Sequence, residues 1–250
     1  MSRGDGVKLV QGDCLELVRK IPDGSVDMVL TDPPFGITQN VWDKAIPFEP
    51  MWEQYRRVCK ESAAIVLFSA QPFTSTLIVS NLTDFKYTLT WYKHYARNFL
   101  NAKKQPLRAT EQIAVFYRKQ CTYNPEMRKG KTQKKGTSSK QRGCYGNYKA
   151  SNVVNDQYYP TDILDFPGVP VPQLEHPTQK PVPLLEYLIK TYTNPGETVL
   201  DNCMGSGSTG VACVNTGRNF IGIELDPGYF ETACRRIEEA QAQIRMEAVT

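Results

Sequence analysis

The chain has 250 residues, 40% hydrophobic and 22% charged, a balance that predicts a soluble globular protein with one α/β core and room for an inserted lobe. No apolar run reaches membrane-spanning length, and Met1 to Gly6 lacks the apolar stretch of a signal peptide; seven singly scattered cysteines with no CxxC spacing argue for a reducing, cytoplasmic setting and against a disulfide framework or a zinc site. The net charge is only +4, yet Arg118 to Lys149 holds ten Lys/Arg against one acid, Glu126, a net +9 in that window alone.

In chain order, Val7 to Val10 reads as a strand ending at Gly12-Asp13-Cys14, and Leu15 to Ile21 as a short helix. Val26 to Leu30 is a strand that empties into Asp32-Pro33-Pro34-Phe35 and Gly36. Pro50 to Cys59 is helical in pattern, with Pro50 as its starting residue. Ala63 to Phe68 is a buried strand, Phe73 to Leu82 a helix, and Tyr87 to Tyr92 and Gln112 to Tyr117 are strands. From 118 to 173 periodicity is lost and Lys, Gly, Ser and Pro dominate, which predicts an insert between catalytic segments 1–117 and 174–250. Order returns with a helix over Pro183 to Thr191, a strand over Thr198 to Leu200 and a helix through Val211 to Val214. Asn219 to Leu225 is a further strand, and an amphipathic helix runs from Pro227. Strands alternating with helices predict βαβ units and a mostly parallel sheet with helices on both faces.

Two segments carry chemistry. In Asp32-Pro33-Pro34-Phe35 the prolines fix two φ angles and remove two N–H donors. What remains is a stiff set of acceptors, the Asp32 carboxylate and the proline carbonyls, beside an aromatic face. That set suits a planar ligand with an exocyclic amino group; the bland alternative is a strand exit with a buried Phe. The second segment, Asp201 to Gly210, follows a strand and opens a helix, and Gly205, Gly207 and Gly210 match G-x-G-x-x-G. Glu224, 19 residues after Gly205, ends the next strand, where a carboxylate can accept from ribose hydroxyls. This pattern also fits a nicotinamide-dependent oxidoreductase. Asp201 separates the readings, because an acid at the strand end repels a pyrophosphate and attracts an ammonium and a sulfonium, as in S-adenosylmethionine.

The basic window interleaves with Tyr117, Tyr123, Tyr145, Tyr148, Tyr158 and Tyr159, a composition suited to a nucleic-acid-binding lobe rather than a solvated linker. The candidate phosphate contacts are Arg118, Arg128, Lys129, Lys131, Lys134, Lys135, Lys140, Arg142 and Lys149.

Several motifs in one order resemble the amino-directed DNA methyltransferases, in the circularly permuted class where the proline motif precedes the glycine motif. They are Gly12-Asp13-Cys14, Asp32 to Phe35, Asn98-Phe99 through Glu111, His176-Pro177-Thr178-Gln179-Lys180-Pro181, Asp201 to Gly210 and Phe220 to Asp226. The likeness is greatest to the adenine-N6 members. It implies a Rossmann-like, S-adenosylmethionine-dependent methyltransferase fold with no metal, acting on DNA. The N-terminal strand would then lie beside the strand ending at Glu224, with Asp13 near the cofactor adenine.

The resemblance implies catalytic roles for Asp32, Pro33, Pro34 and Phe35. It implies cofactor contacts from Asp13, Cys14, Asp32, Thr178, Lys180, Asp201, Met204, Gly205, Ser206, Gly207, Ser208, Thr209, Glu224 and Leu225. Three positions depart from the pattern: Asn202-Cys203 stands where Pro-Phe is usual, Phe35 where Tyr is more frequent, and Thr110 before Glu111 where histidine is common. Glu111 is accordingly assigned no chemical role. An N4-cytosine target, an RNA or protein-glutamine substrate and a catalytically silent DNA-binding protein stay open at this point. So do a homodimer and a cognate restriction endonuclease as partners.

Overall fold

The computed structural model describes residues 2–3, 6–36, 45–96, 98–136 and 152–247. The strands are β1 (Ser2–Arg3), β2 (Val7–Gln11), β3 (Val26–Thr31), β4 (Cys59–Ser69), β5 (Phe85–Tyr92), β6 (Thr110–Phe116), β7 (Arg128–Gly136), β8 (Asn152–Tyr158), β9 (Ile163–Asp165), β10 (Thr198–Asp201) and β11 (Asn219–Glu224). The α-helices are α1 (Cys14–Val18), α2 (Phe48–Val58), α3 (Phe73–Ser80), α4 (Val182–Tyr192), α5 (Ser208–Thr216) and α6 (Pro227–Glu247).

Nine strands form one sheet in the order β1-β2-β11-β10-β3-β4-β6-β5-β9. From β2 to β4 the pairings are all parallel, while β6 runs antiparallel to both β4 and β5. β2 lies beside β11 as the permutation requires, in register from Val7 opposite Phe220 to Gln11 opposite Glu224. The sheet separates two apolar layers. Met28 and Leu30 of β3 face the layer built on α4, α5 and α6, which includes Leu184, Leu188, Ala212 and Ile237. Val26 and Val29 face the opposite layer on α1, α2 and α3, which includes Val18, Trp52, Tyr55 and Leu77. A buried strand must satisfy both faces at once, so β3 reads as an apolar run rather than an alternation.

Element boundaries differ from the sequence pattern for local reasons. The first helix stops at Val18, because Lys20 and Ile21 donate to the carbonyls of Leu17 and Val18 in tighter i−3 bonds. Pro50 is the third residue of α2, not the first, and its missing N–H is harmless within that first turn. β4 starts at Cys59, four residues early, where exposed Lys60, Glu61 and Ser62 carry no apolar signal.

The chain divides into two compact units, residues 1–124 with 162–250, and residues 125–161. β9, inside the window that lacked periodicity, pairs with β5 in the large sheet. The smaller unit is the antiparallel pair β7 and β8, from Arg128 opposite Tyr158 to Gly136 opposite Asn152, with a register irregularity between Lys129 and Gln133. Gly130 lies against the Tyr158 ring, whose hydroxyl donates to the Lys131 carbonyl at 2.7 Å.

Candidate active site

Parallel pairing puts the C-terminal ends of β2, β3, β10 and β11 on one edge of the sheet, where α/β proteins bind ligands. A cavity of about 710 Å³ opens there. Asp13 and Cys14 after β2, and Asp32, Pro33, Pro34 and Phe35 after β3, line it. So do Thr178 and Lys180 before α4, and Asp201, Met204, Gly205, Ser206, Ser208 and Thr209 after β10. Glu224 and Leu225 after β11 complete the set. Gly207, counted with them from the glycine pattern, is the exception. It adopts φ +77° and packs on α6, where an added Cβ would come within 2.8 Å of the Ala233 Cβ. Its role is to let the α5 start approach α6 closely.

The Asp32 side chain has two different oxygens. Oδ2 accepts from the Lys180 ammonium, and Oδ1 is buried with no hydrogen-bond partner. Lys180 is only 7% exposed, stands 3.7 Å from Glu111 Oε1, and has its ammonium 4.9 Å from the centre of the Phe68 ring. Lys93, just beyond β5, pairs with the other Glu111 oxygen at 3.0 Å. Burial works against the Lys180 charge, but Asp32 and Glu111 together overcome it and hold the ammonium above its ordinary range. Burial raises the Asp32 pKa; Lys180 opposes this, while Glu111 adds to it as a like charge. Burial also raises Glu111, but Lys180 and Lys93 outweigh it and leave Glu111 below its usual range. Glu111 is therefore part of the charge array around Asp32, a place that its spacing in the sequence did not reveal.

Asp201 is 3% exposed. It accepts from the Cys203 N–H at 3.1 Å and the Thr209 hydroxyl at 2.6 Å, and burial pushes its pKa up to about 6. Glu224 accepts from the Gly205 N–H at 2.8 Å and the Asp226 N–H at 2.9 Å, and burial raises it too. Both carboxylates thus shape the loops and face the cavity. Asp13 caps α1 by accepting from the Glu16 N–H at 3.0 Å. Phe35 stacks on Phe73, with ring centres 4.9 Å apart and planes 26° apart.

The sequence pattern missed several cavity residues. His176 stands 4.2 Å from the Tyr229 ring, edge-on, with Nδ1 3.1 Å from the Thr178 hydroxyl. Burial and the nearby Lys180 push its pKa down to about 4, so the ring is neutral at pH 7. Asn202, at the position departing from Pro-Phe, accepts from the buried Tyr55 hydroxyl at 2.7 Å. That bond ties the β10 exit to α2 by a polar contact. Tyr229 gives no signal beyond its place in the first turn of α6.

The basic residues are divided between the two units. Arg118 follows β6, which is antiparallel to β4, so it lies at the opposite edge from Asp32 and donates to the Cys59 carbonyl at 2.9 Å. Arg128, Lys129 and Lys131 are exposed on β7, which also carries Lys134 and Lys135. Lys140, Arg142 and Lys149 lie outside the described residues. No group of His, Cys, Asp or Glu suited to a metal ion occurs among the described residues. No helix among them is long and apolar enough to cross a membrane.

The DNA methylase family N6_N4_Mtase matches residues 26–235. The chain belongs to that family. It is 31% identical to the DNA adenine methyltransferase YhdJ of Escherichia coli K12, over 93% of this chain and 83% of that protein. It is 24% identical to the type II methyltransferase M.HpaI of Haemophilus parainfluenzae, over 92% of this chain and 74% of that one. Among solved structures, the M1.HpyAVI–SAM complex superposes with a TM-score of 0.63 at 26% identity, covering 92% of this chain and 98% of that one. The cytosine-N4-specific PvuII DNA methyltransferase shares the fold, with a TM-score of 0.65 at 16% identity over 96% and 92% of the two chains. The protein is thus a methyltransferase of the DNA N6/N4 family, with the α/β fold of S-adenosylmethionine-dependent enzymes in permuted order.

Proposed function

We propose that the protein transfers a methyl group from S-adenosylmethionine to the N6 amino group of an adenine flipped out of DNA. The observation that carries this reading is the buried, unpartnered Asp32 Oδ1, on a residue that lines the cavity together with Pro33 and Phe35.

The cavity suits the cofactor in size and charge. Asp13, Asp32, Asp201, Glu224 and Asp226 line it against one ammonium, Lys180, with His176 neutral. An acidic wall favours a ligand with an ammonium and a sulfonium. Asp13 and Glu224 would hold the adenosine part, while Asp201, Thr178, Lys180 and the Met204–Thr209 turn would hold the methionine part. When bound, the cofactor supplies an electrophilic methyl group.

The adenine amino nitrogen is a weak nucleophile because its lone pair is conjugated with the ring. Asp32 Oδ1 and the Pro33 carbonyl each accept one amino N–H, which draws the nitrogen toward a pyramidal geometry, and Phe35 stacks on the base. Asp32 takes the proton once methylation has made the nitrogen acidic, since a carboxylate cannot deprotonate neutral adenine efficiently. Positioning and electrostatics supply most of the rate. The base must leave the duplex to reach these groups. Aspartate at position 32 and the likeness to an adenine methyltransferase favour adenine over cytosine N4.

The smaller unit, residues 125–161, serves as the target-recognition lobe, with Arg128, Lys129 and Lys131 on phosphates. The test is transfer of labelled methyl from S-adenosylmethionine to unmethylated DNA, followed by nucleoside analysis. N6-methyladenine is the expected product. N4-methylcytosine would overturn the adenine assignment, and absence of label in any DNA would overturn the substrate class.

A further inference from the structure

The loop from β5 to β6 combines features that the reaction above does not use. β5 ends and β6 begins at the sheet edge that carries Asp32, because β6 is antiparallel to both β4 and β5. The stem of the loop is well tied. The Lys93 N–H donates to the Ala109 carbonyl at 2.9 Å, the Tyr95 hydroxyl to the Val169 carbonyl at 2.9 Å, and the Arg108 N–H to Asn98 Oδ1 at 2.7 Å. Lys93 also pairs with Glu111, which stands 3.7 Å from the ammonium that holds Asp32.

The tip of this stem is apolar and exposed. Phe99 is 70% and Leu100 82% exposed, on a single 3-10 turn, with Leu107 at 42% nearby. Around them stand exposed Lys103, Lys104 and Arg108, and residues 98 to 110 contain no acid. Two adjacent large side chains held out in water on a pinned loop mark a contact surface. The surrounding cations select a polyanion, and the apolar tip selects one with a stacked interior. Duplex DNA has both properties.

We infer that residues 98–108 form a DNA-opening wedge, in which Lys103, Lys104 and Arg108 contact phosphates and Phe99 and Leu100 fill the gap in the stack left by the extruded base. This rests on the flipping step of the function proposed above. The wedge compensates for the lost stacking and leaves the Asp32 cavity to the flipped base.

The test uses the full chain and its double variant Phe99→Ala/Leu100→Ala, both positions being exposed enough to spare the core. Binding is measured to a fluorescent duplex of about 30 base pairs containing one abasic site, and to the same duplex fully paired. An abasic site offers a ready gap, so the wild type should prefer that duplex by about fivefold or more. The double variant should lose the preference while keeping its affinity for the paired duplex within about threefold. A wild type with no preference, or a variant that keeps it, overturns the wedge. Methyl transfer to native and heat-denatured phage DNA then separates the wedge from the reaction. The variant should lose tenfold or more on native DNA and little on denatured DNA, and an equal loss on both overturns the wedge. A wild type that prefers the abasic duplex but labels no DNA supports the wedge and sinks the proposed reaction instead.

Discussion

Asp201→Asn isolates the cost of the buried acid at the β10 exit. The folded pKa of Asp201 is about 6 against 3.8 for a free aspartate, and the cause is burial. A carboxyl with a raised pKa favours folding in its protonated form. Its contribution is complete below pH 3.8 and is lost as pH rises through about 6. Integrated from pH 4 to pH 7, that loss is about 2 kcal/mol. Asparagine keeps an acceptor for the Thr209 hydroxyl but cannot titrate. It also gives up one of two accepted hydrogen bonds, a cost of about 1 kcal/mol or more that does not vary with pH. The variant's stability relative to wild type should therefore rise by about 2 kcal/mol between pH 4 and pH 7, whatever the constant offset. Urea unfolding at both pH values reads this directly, with m compared to confirm that the unfolded states match. S-adenosylmethionine should lose more affinity for this variant than S-adenosylhomocysteine, which lacks the sulfonium charge. A stability difference that stays flat across the pH range, or equal losses for the two ligands, would refute the electrostatic role of Asp201.

Asp32→Ala should lower methyl transfer by about a thousandfold or more, while S-adenosylhomocysteine still raises the melting temperature; near-normal turnover would sink the scheme. Gly207→Ala should cost about 2–4 kcal/mol of stability in urea unfolding, because φ is +77° and the new Cβ meets Ala233 at 2.8 Å. An unchanged midpoint would mean that α5 and α6 are free to separate. Replacing Arg128, Lys129 and Lys131 by glutamine should reduce the slope of log affinity for duplex DNA against log salt by about 2 to 3. A slope equal to wild type would place the phosphate contacts elsewhere.

The mostly parallel character of the sheet could be read before the structure because its clues are local. Val26 to Leu30 is apolar except at Asp27, as suits a strand covered on both faces, and the glycine turn after Leu200 marks a strand-to-helix exit. The place of β2 beside β11 was implied by the permuted order of the motifs, and five register pairs now fill that position. What could not be read depends on separation in sequence. Lys180, Glu111 and Lys93 come from three distant segments, and only the antiparallel return of β6 brings Glu111 to the Asp32 edge. The same return carries Arg118 to the opposite edge, so a composition window pooled it with Arg128 of the other compact unit. The spacing of glycines likewise did not reveal the close approach of Gly207 to α6.

The glycine turn also shows how one loop pattern serves opposite charges. In a dinucleotide site the helix N-terminus after such a turn is kept open for a pyrophosphate. Here the start of α5 is taken up by the protein's own groups. Asp201 accepts from the Thr209 hydroxyl, and the Arg236 guanidinium donates to the Ser206 carbonyl at 2.6 Å and to the Ser208 hydroxyl at 3.1 Å. Glu224 takes the Gly205 N–H that a phosphate would otherwise use. Lys180, the one ammonium on the cavity wall among the described residues, is held by Asp32. A pyrophosphate would meet the Asp201 and Glu224 carboxylates with Lys180 already engaged by Asp32, whereas a ligand with a sulfonium and an ammonium meets the field that these acids create. NAD should leave the melting temperature unchanged and S-adenosylhomocysteine should raise it. The reverse result would mean that the acids around this turn do not set its ligand.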